Sequence, residues 1–258
     1  MRVLSQREAA PEAATDAGVV LLPVRCTATA RLKGFEVLTC ELEPGGSASP
    51  RLHVPKYSRA AAGQLAHLLS GELAPLMAGH GLQLWIPLSL DALRRDATVL
   101  FDGIRTAGLA GKHLTFELEA RDILAGVAPS EADLLAALTA RDSRIAVSAL
   151  TDFESIEAAL RVDGRIDEVR MSATLCSAGA PAGRPVRADG RWLAETVERL
   201  HERGLLMSAR DVSDAKLCHE VIVAGFDLIQ GDMVGRAHSV EATINQMVAA
   251  LPFGRTLL

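Results

Sequence analysis

Aromatic residues are scarce in this chain of 258 residues, which holds two Trp, one Tyr and six Phe. Basic charge is not in excess either, since 27 Lys and Arg stand against 32 Asp and Glu and give a formal charge of −5. The chain therefore offers neither a stacking platform nor a basic stripe, and a nucleic-acid partner is not expected. The four cysteines, Cys26, Cys40, Cys176 and Cys218, form no C-x-x-C pair, so neither a zinc knuckle nor a disulfide framework is indicated. Long apolar runs are missing too. The stretch 19–24 is among the longest, far short of the roughly 20 residues that span a bilayer. The opening Met1-Arg2-Val3-Leu4-Ser5-Gln6-Arg7-Glu8 lacks the apolar centre of a secretory signal, which implies a cytoplasmic protein.

What is present suits a large core: 49% of the residues are apolar and 23% are charged. Residues 1–16, rich in Ala, Glu and Pro without a period, read as a flexible leader, and 17–258 as a single barrel domain. Short apolar or β-branched runs at 19–25, 34–40, 83–88, 113–119, 144–149, 168–172, 205–209 and 227–230 predict strands. Amphipathic patterns at 59–78, 89–106, 130–140, 154–161, 191–203, 214–223 and 239–251 predict helices between and after them. Ser130-Glu131-Ala132-Asp133 has capping-box spacing, Asp214 stands at a helix start, and Gly204 follows a periodic segment as a stop. Strand–helix alternation requires crossovers, hence mainly parallel strands, and eight such units suit a closed barrel. The connection between the first two strands is too short for a helix, so that pair is expected to be antiparallel. The stretch 176–190, with Gly179, Pro181, Gly183, Pro185 and Gly190, reads as an irregular excursion at a strand end.

The strand ends carry residues in a recognisable order: Gly34-Phe35-Glu36-Val37-Leu38, Glu117-Leu118-Glu119, Ile145-Ala146-Val147-Ser148-Ala149, and Gly225-Phe226-Asp227-Leu228-Ile229-Gln230-Gly231. Over about residues 18–252 the chain resembles the EAL family. That resemblance implies a TIM-like (β/α)8 barrel of EAL type with one antiparallel strand, whose active members hydrolyse the bacterial second messenger cyclic di-GMP with two divalent cations. Carried over by position, Glu36 keeps the glutamate of the name motif, Glu117 the metal-binding glutamate of E-[IL]-T-E, and Gln230 the glutamine of Q-G. Elsewhere the pattern departs. Pro87 replaces an asparagine, Ser148 and Ala149 replace the aspartate pair of D-D-F-G, Arg170 meets the lysine of K-x-D, and Arg210 stands for the leading glutamate of E-G-V-E. Leu22 takes the place of the glutamine in Q-P-[IV], and Cys40 that of the arginine closing E-x-L-x-R.

Two divalent cations need several oxygen ligands and bridging carboxylates, and these substitutions remove most of them. No Mg or Mn site, no metal ligand and no cofactor are therefore expected. Buried carboxylates still need partners, so Arg170 or Arg210 should pair with Glu36 or Glu117 inside the barrel mouth, leaving a vestigial pocket of Glu36, Glu117, Gln230, Arg170 and Arg210. The seven histidines show no ligand spacing, and Ser148 lacks a nucleophile elbow, so no catalytic residue is assigned. The resemblance then implies a protein that is not an enzyme, a regulatory EAL-like domain working through another protein. The alternative is a receptor that binds cyclic di-GMP without cleaving it. A residual phosphodiesterase, or another enzyme using Glu36, Glu117 and Glu119, ranks last. Self-association stays open.

Overall fold

A computed structural model describes residues 17–41, 71, 73–107, 110–125, 127, 129–150, 156, 165–173 and 191–249. The leader 1–16, the excursion 176–190, and most of the segments 59–78 and 154–161 fall outside these residues. Strands β1 (Ala17–Cys26) and β2 (Leu32–Glu41) pair antiparallel. The turn between them is closed by Ala30 N donating to Cys26 O at 2.8 Å and Cys26 N to Arg31 O at 2.9 Å. Next come α1 (Leu73–His80), β3 (Gln83–Pro87), α2 (Leu90–Ala107), β4 (Leu114–Glu119), α3 (Ala120–Leu124), α4 (Pro129–Thr139) and β5 (Arg144–Leu150). The order continues with β6 (Glu168–Ser172), α5 (Arg191–His201), β7 (Leu206–Arg210), α6 (Ala215–Val223), β8 (Leu228–Ile229), β9 (His238–Ser239) and α7 (Val240–Ala249).

Strands β2 to β8 pair in parallel, one beside the next, and β1 closes the circle by pairing antiparallel with both β2 and β8. The fold is thus a closed eight-stranded barrel with one antiparallel strand, plus the two-residue β9 laid along β1. No helix among the described residues is long and apolar enough to cross a membrane.

Alternation along each strand separates two buried faces. Leu84 and Ile86, Phe116 and Leu118, Ile145 and Val147, Val169 and Met171, and Met207 join one continuous core with the helix residues Leu93, Leu138, Val197 and Leu200. The intervening residues, among them Trp85, Glu117, Ser148, Glu168, Arg170 and Ser208, are buried as well. They fill the barrel, and Trp85 forms a small apolar cluster there with Val24 and Leu228. Because charged side chains occupy this inner face, their pairing, not apolar packing, sets what the interior can do.

Local signals differ from expectation at a few points. Helix α4 starts at Pro129, not after a Ser130 cap, because proline presets φ for a first helical turn and places Ser130 inside it. The strand expected at 227–230 narrows to Leu228–Ile229, although Asp227 N and Gln230 N continue its bonding to Met207 O and Ala209 O, both at 2.9 Å. Asp214 does cap α6, accepting from Leu217 N at 2.9 Å. That hydrogen bond holds its carboxyl below the usual range. Asp214→Ala is expected to lower the Tm by about 2–4 °C, with Asp214→Asn near wild type, measured by thermal unfolding at pH 7.

Candidate functional site

Five side chains, four from β2, β4, β6 and β7 and one from Gln230 just after β8, meet toward the C-terminal end of the barrel, where barrel sites form. Two glycines allow it. Gly34 has φ of +154°, and a Cβ there would fall 1.8 Å from Gln83 O, so only glycine lets β3 approach with Trp85 in register beside Glu36. Gly231 has φ of +141°, and a Cβ there would meet Val212 N at 2.4 Å. Its place is fixed by Val212 N donating to Gln230 O at 3.0 Å, which holds the preceding glutamine at the barrel's mouth.

The carboxylates of Glu36 and Glu117 each face two guanidinium groups. Arg210 donates from Nη1 to Glu117 Oε1 at 2.7 Å and from Nη2 to Glu36 Oε1 at 3.0 Å. Arg170 donates from Nη2 to the other Glu36 oxygen at 3.2 Å, and from Nη1 to Glu117 Oε2. Each carboxylate is thereby bridged, one oxygen per arginine. Gln230 completes the ring, donating to Glu36 Oε2 and accepting from Arg170 Nη2. Arg170, Glu36 and Glu117 are buried, while the Arg210 side chain keeps 19% of its exposure.

Burial pushes the Glu117 carboxyl up, but Arg170 and Arg210 outweigh it and, with a hydrogen bond from Ser148, hold it below the usual carboxylate range. Burial likewise opposes the charge on both arginines, and the carboxylates more than restore it, so their guanidinium groups are held above the ordinary value.

A sixth member was not found in the sequence. Glu168 lies at the start of β6, two residues before Arg170 and therefore on the same face. Its carboxylate accepts from Trp85 Nε1 at 2.8 Å and Ser208 Oγ at 2.5 Å, and lies 3.6 Å from Arg170 Nε. Burial raises its carboxyl above the usual range despite Arg170, Ser208 and Trp85. The available signal was the alternation Glu168-Val169-Arg170, which puts a carboxylate and a guanidinium on one inner face.

The remaining family positions surround this network. Pro87 ends β3 opposite Glu117, and Leu22 lies in register with Glu36. Ser148 is buried beside Glu117. Cys40 and Ala149 belong to β2 and β5, but their side chains fall outside the described residues. Among the described residues no three His, Cys, Asp or Glu side chains gather where they could hold a metal ion.

No family model and no curated protein sequence matches this chain. Solved structures do. The "EAL Enzyme Bd1971", in its cAMP and cyclic-di-GMP bound form, matches with a TM-score of 0.69 at 12% identity, over 90% of this chain and 65% of its own. This chain thus spans slightly less than two thirds of that protein. The EAL domain of Mycobacterium smegmatis DcpA matches with a TM-score of 0.68 at 14% identity, over 92% of this chain and all of its own, 100%. The "PaMucR Phosphodiesterase", in complex with cyclic di-GMP, matches with a TM-score of 0.65 at 14% identity over 88% and 94%. The fold is that of EAL domains. These neighbours also correct the expectation that the chain is not an enzyme: two of them are named as an enzyme and a phosphodiesterase, so the barrel is one that enzymes use, and loss of family residues does not by itself remove the chain from that class.

Proposed function

We propose that this chain is a cytoplasmic signalling protein on the EAL barrel that regulates through contact with another protein. The five mouth residues then serve as internal partners that stiffen the scaffold. The observation supporting this reading is the double bridge, in which both oxygens of Glu36 and of Glu117 are taken by Arg170 and Arg210. Hard divalent cations need several anionic oxygens free to coordinate, and two carboxylates already shared by two fixed cations are a poor donor set for Mg or Mn. We therefore infer no role for either ion.

A second reading rests on Arg210, whose partial exposure leaves a planar donor at the rim that suits a phosphodiester. Under it the chain binds cyclic di-GMP as a receptor. Calorimetric titration with cyclic di-GMP, with and without magnesium, separates the two. The expected result is no saturable heat. Micromolar binding without cleavage would replace the first reading by the receptor, and release of linear product with magnesium or manganese would overturn both in favour of a phosphodiesterase.

A further inference from the structure

The opposite end of the barrel holds a cavity of about 420 Å³, lined by residues such as Lys33, Gln83, Arg144 and Asp227. They stand at or beside the starts of β2, β3, β5 and β8, with Cys26 at the end of the antiparallel β1. The cavity is therefore distinct from the Glu36 network. Its polar groups are not balanced. Lys33 and Arg144 bring two positive charges against the single carboxylate of Asp227, and one oxygen of that carboxylate already accepts from Met207 N at 2.8 Å and stands 2.9 Å from His201 Nε2. Thr27 is committed too, donating to Phe226 O at 2.5 Å. What remains toward the cavity is mostly donor: an ammonium, a guanidinium and the Gln83 amide. The nearby Cys26 thiol senses the same field. A hydrogen bond from Thr29 lowers it first, and Lys33 lowers it further, against the burial that raises it.

We propose that this cavity binds a small organic anion through a phosphomonoester group, gripped by Arg144 and Lys33 with the Gln83 amide fixing its orientation. A guanidinium-bearing and an ammonium-bearing residue lining one space match such a group, the first able to offer a planar fork and the second a point charge. The volume lies within the range of ligand pockets and exceeds what phosphate alone fills.

The test is calorimetric titration of the full chain with inorganic phosphate and with glycerol 3-phosphate, at constant ionic strength set by chloride. Saturable binding of both is expected, tighter for the ester. Lys33→Ala and Arg144→Ala should each weaken it about tenfold or more, the loss of one charge-assisted hydrogen bond. Lys33 is exposed, so its variant should fold like wild type, and Arg144→Lys should keep part of the affinity. No saturable heat at tens of millimolar ligand, an equal response to chloride alone, or affinity unchanged in Lys33→Ala would each overturn the proposal.

Discussion

Arg170→Met is expected to cost about 3–5 kcal/mol of unfolding free energy, measured by urea denaturation at pH 7. The variant keeps most of the side-chain volume, so a cavity is not the cause. It strips Glu36, Glu117 and Gln230 of a shared buried donor, and leaves Arg210 as the one guanidinium that pairs with both carboxylates. Such a loss is a large part of the total stability of an ordinary domain. Arg170→Lys should fall between the two, because an ammonium keeps the charge but cannot serve both carboxylates and the amide in one planar geometry. The pairing itself is isolated by a double-mutant cycle. Glu117→Gln in the Arg170→Met background should cost markedly less than Glu117→Gln alone, since the charge it removes has already lost a partner. A loss below about 1 kcal/mol for Arg170→Met, the level of an exposed ion pair, would show that the network contributes no buried-pair stability.

The sequence made the barrel legible because strand and helix periods alternate cleanly from β2 onward, and because the short link after β1 forces a hairpin. What it did not show is short or depends on partners far away. Strand β9, at His238–Ser239, and helix α3, at Ala120–Leu124, are too brief to express a period. At the mouth, motif order located Glu36, Glu117, Arg170, Arg210 and Gln230 one by one. That each carboxylate is shared between both arginines depends on strands whose residues lie up to 174 positions apart, which no local pattern encodes. Glu168 escaped for a related reason. A carboxylate inside a strand of hydrophobic neighbours reads as an outward, solvated residue until the barrel closes and turns that face toward Trp85 and Ser208.

Acid should break the network from the carboxylate side. Glu117 is held below the usual carboxylate range in the folded state. Its contribution is therefore present above the ordinary glutamate value and lost as pH falls through the lowered one. Once Glu117 takes up a proton, the buried Arg170 keeps its charge with one counter-ion fewer, and the folded state loses the stabilisation that the lowered value expresses. Glu168 works in the opposite direction. Its folded-state value is raised, so its contribution is complete below the ordinary range and declines as pH rises through the raised value. Stability measured by urea denaturation across pH should thus rise steeply from acid and then sag before neutrality or above it, depending on how far burial lifts Glu168. Glu168→Gln removes the sag and leaves the acid limb in place, because its amide oxygen still accepts from Trp85 or Ser208. Glu117→Gln does the reverse, flattening the acid limb. A wild-type curve without an acid limb would mean that Glu117 is not ionised against Arg170 in solution, and the double bridge would fall with it.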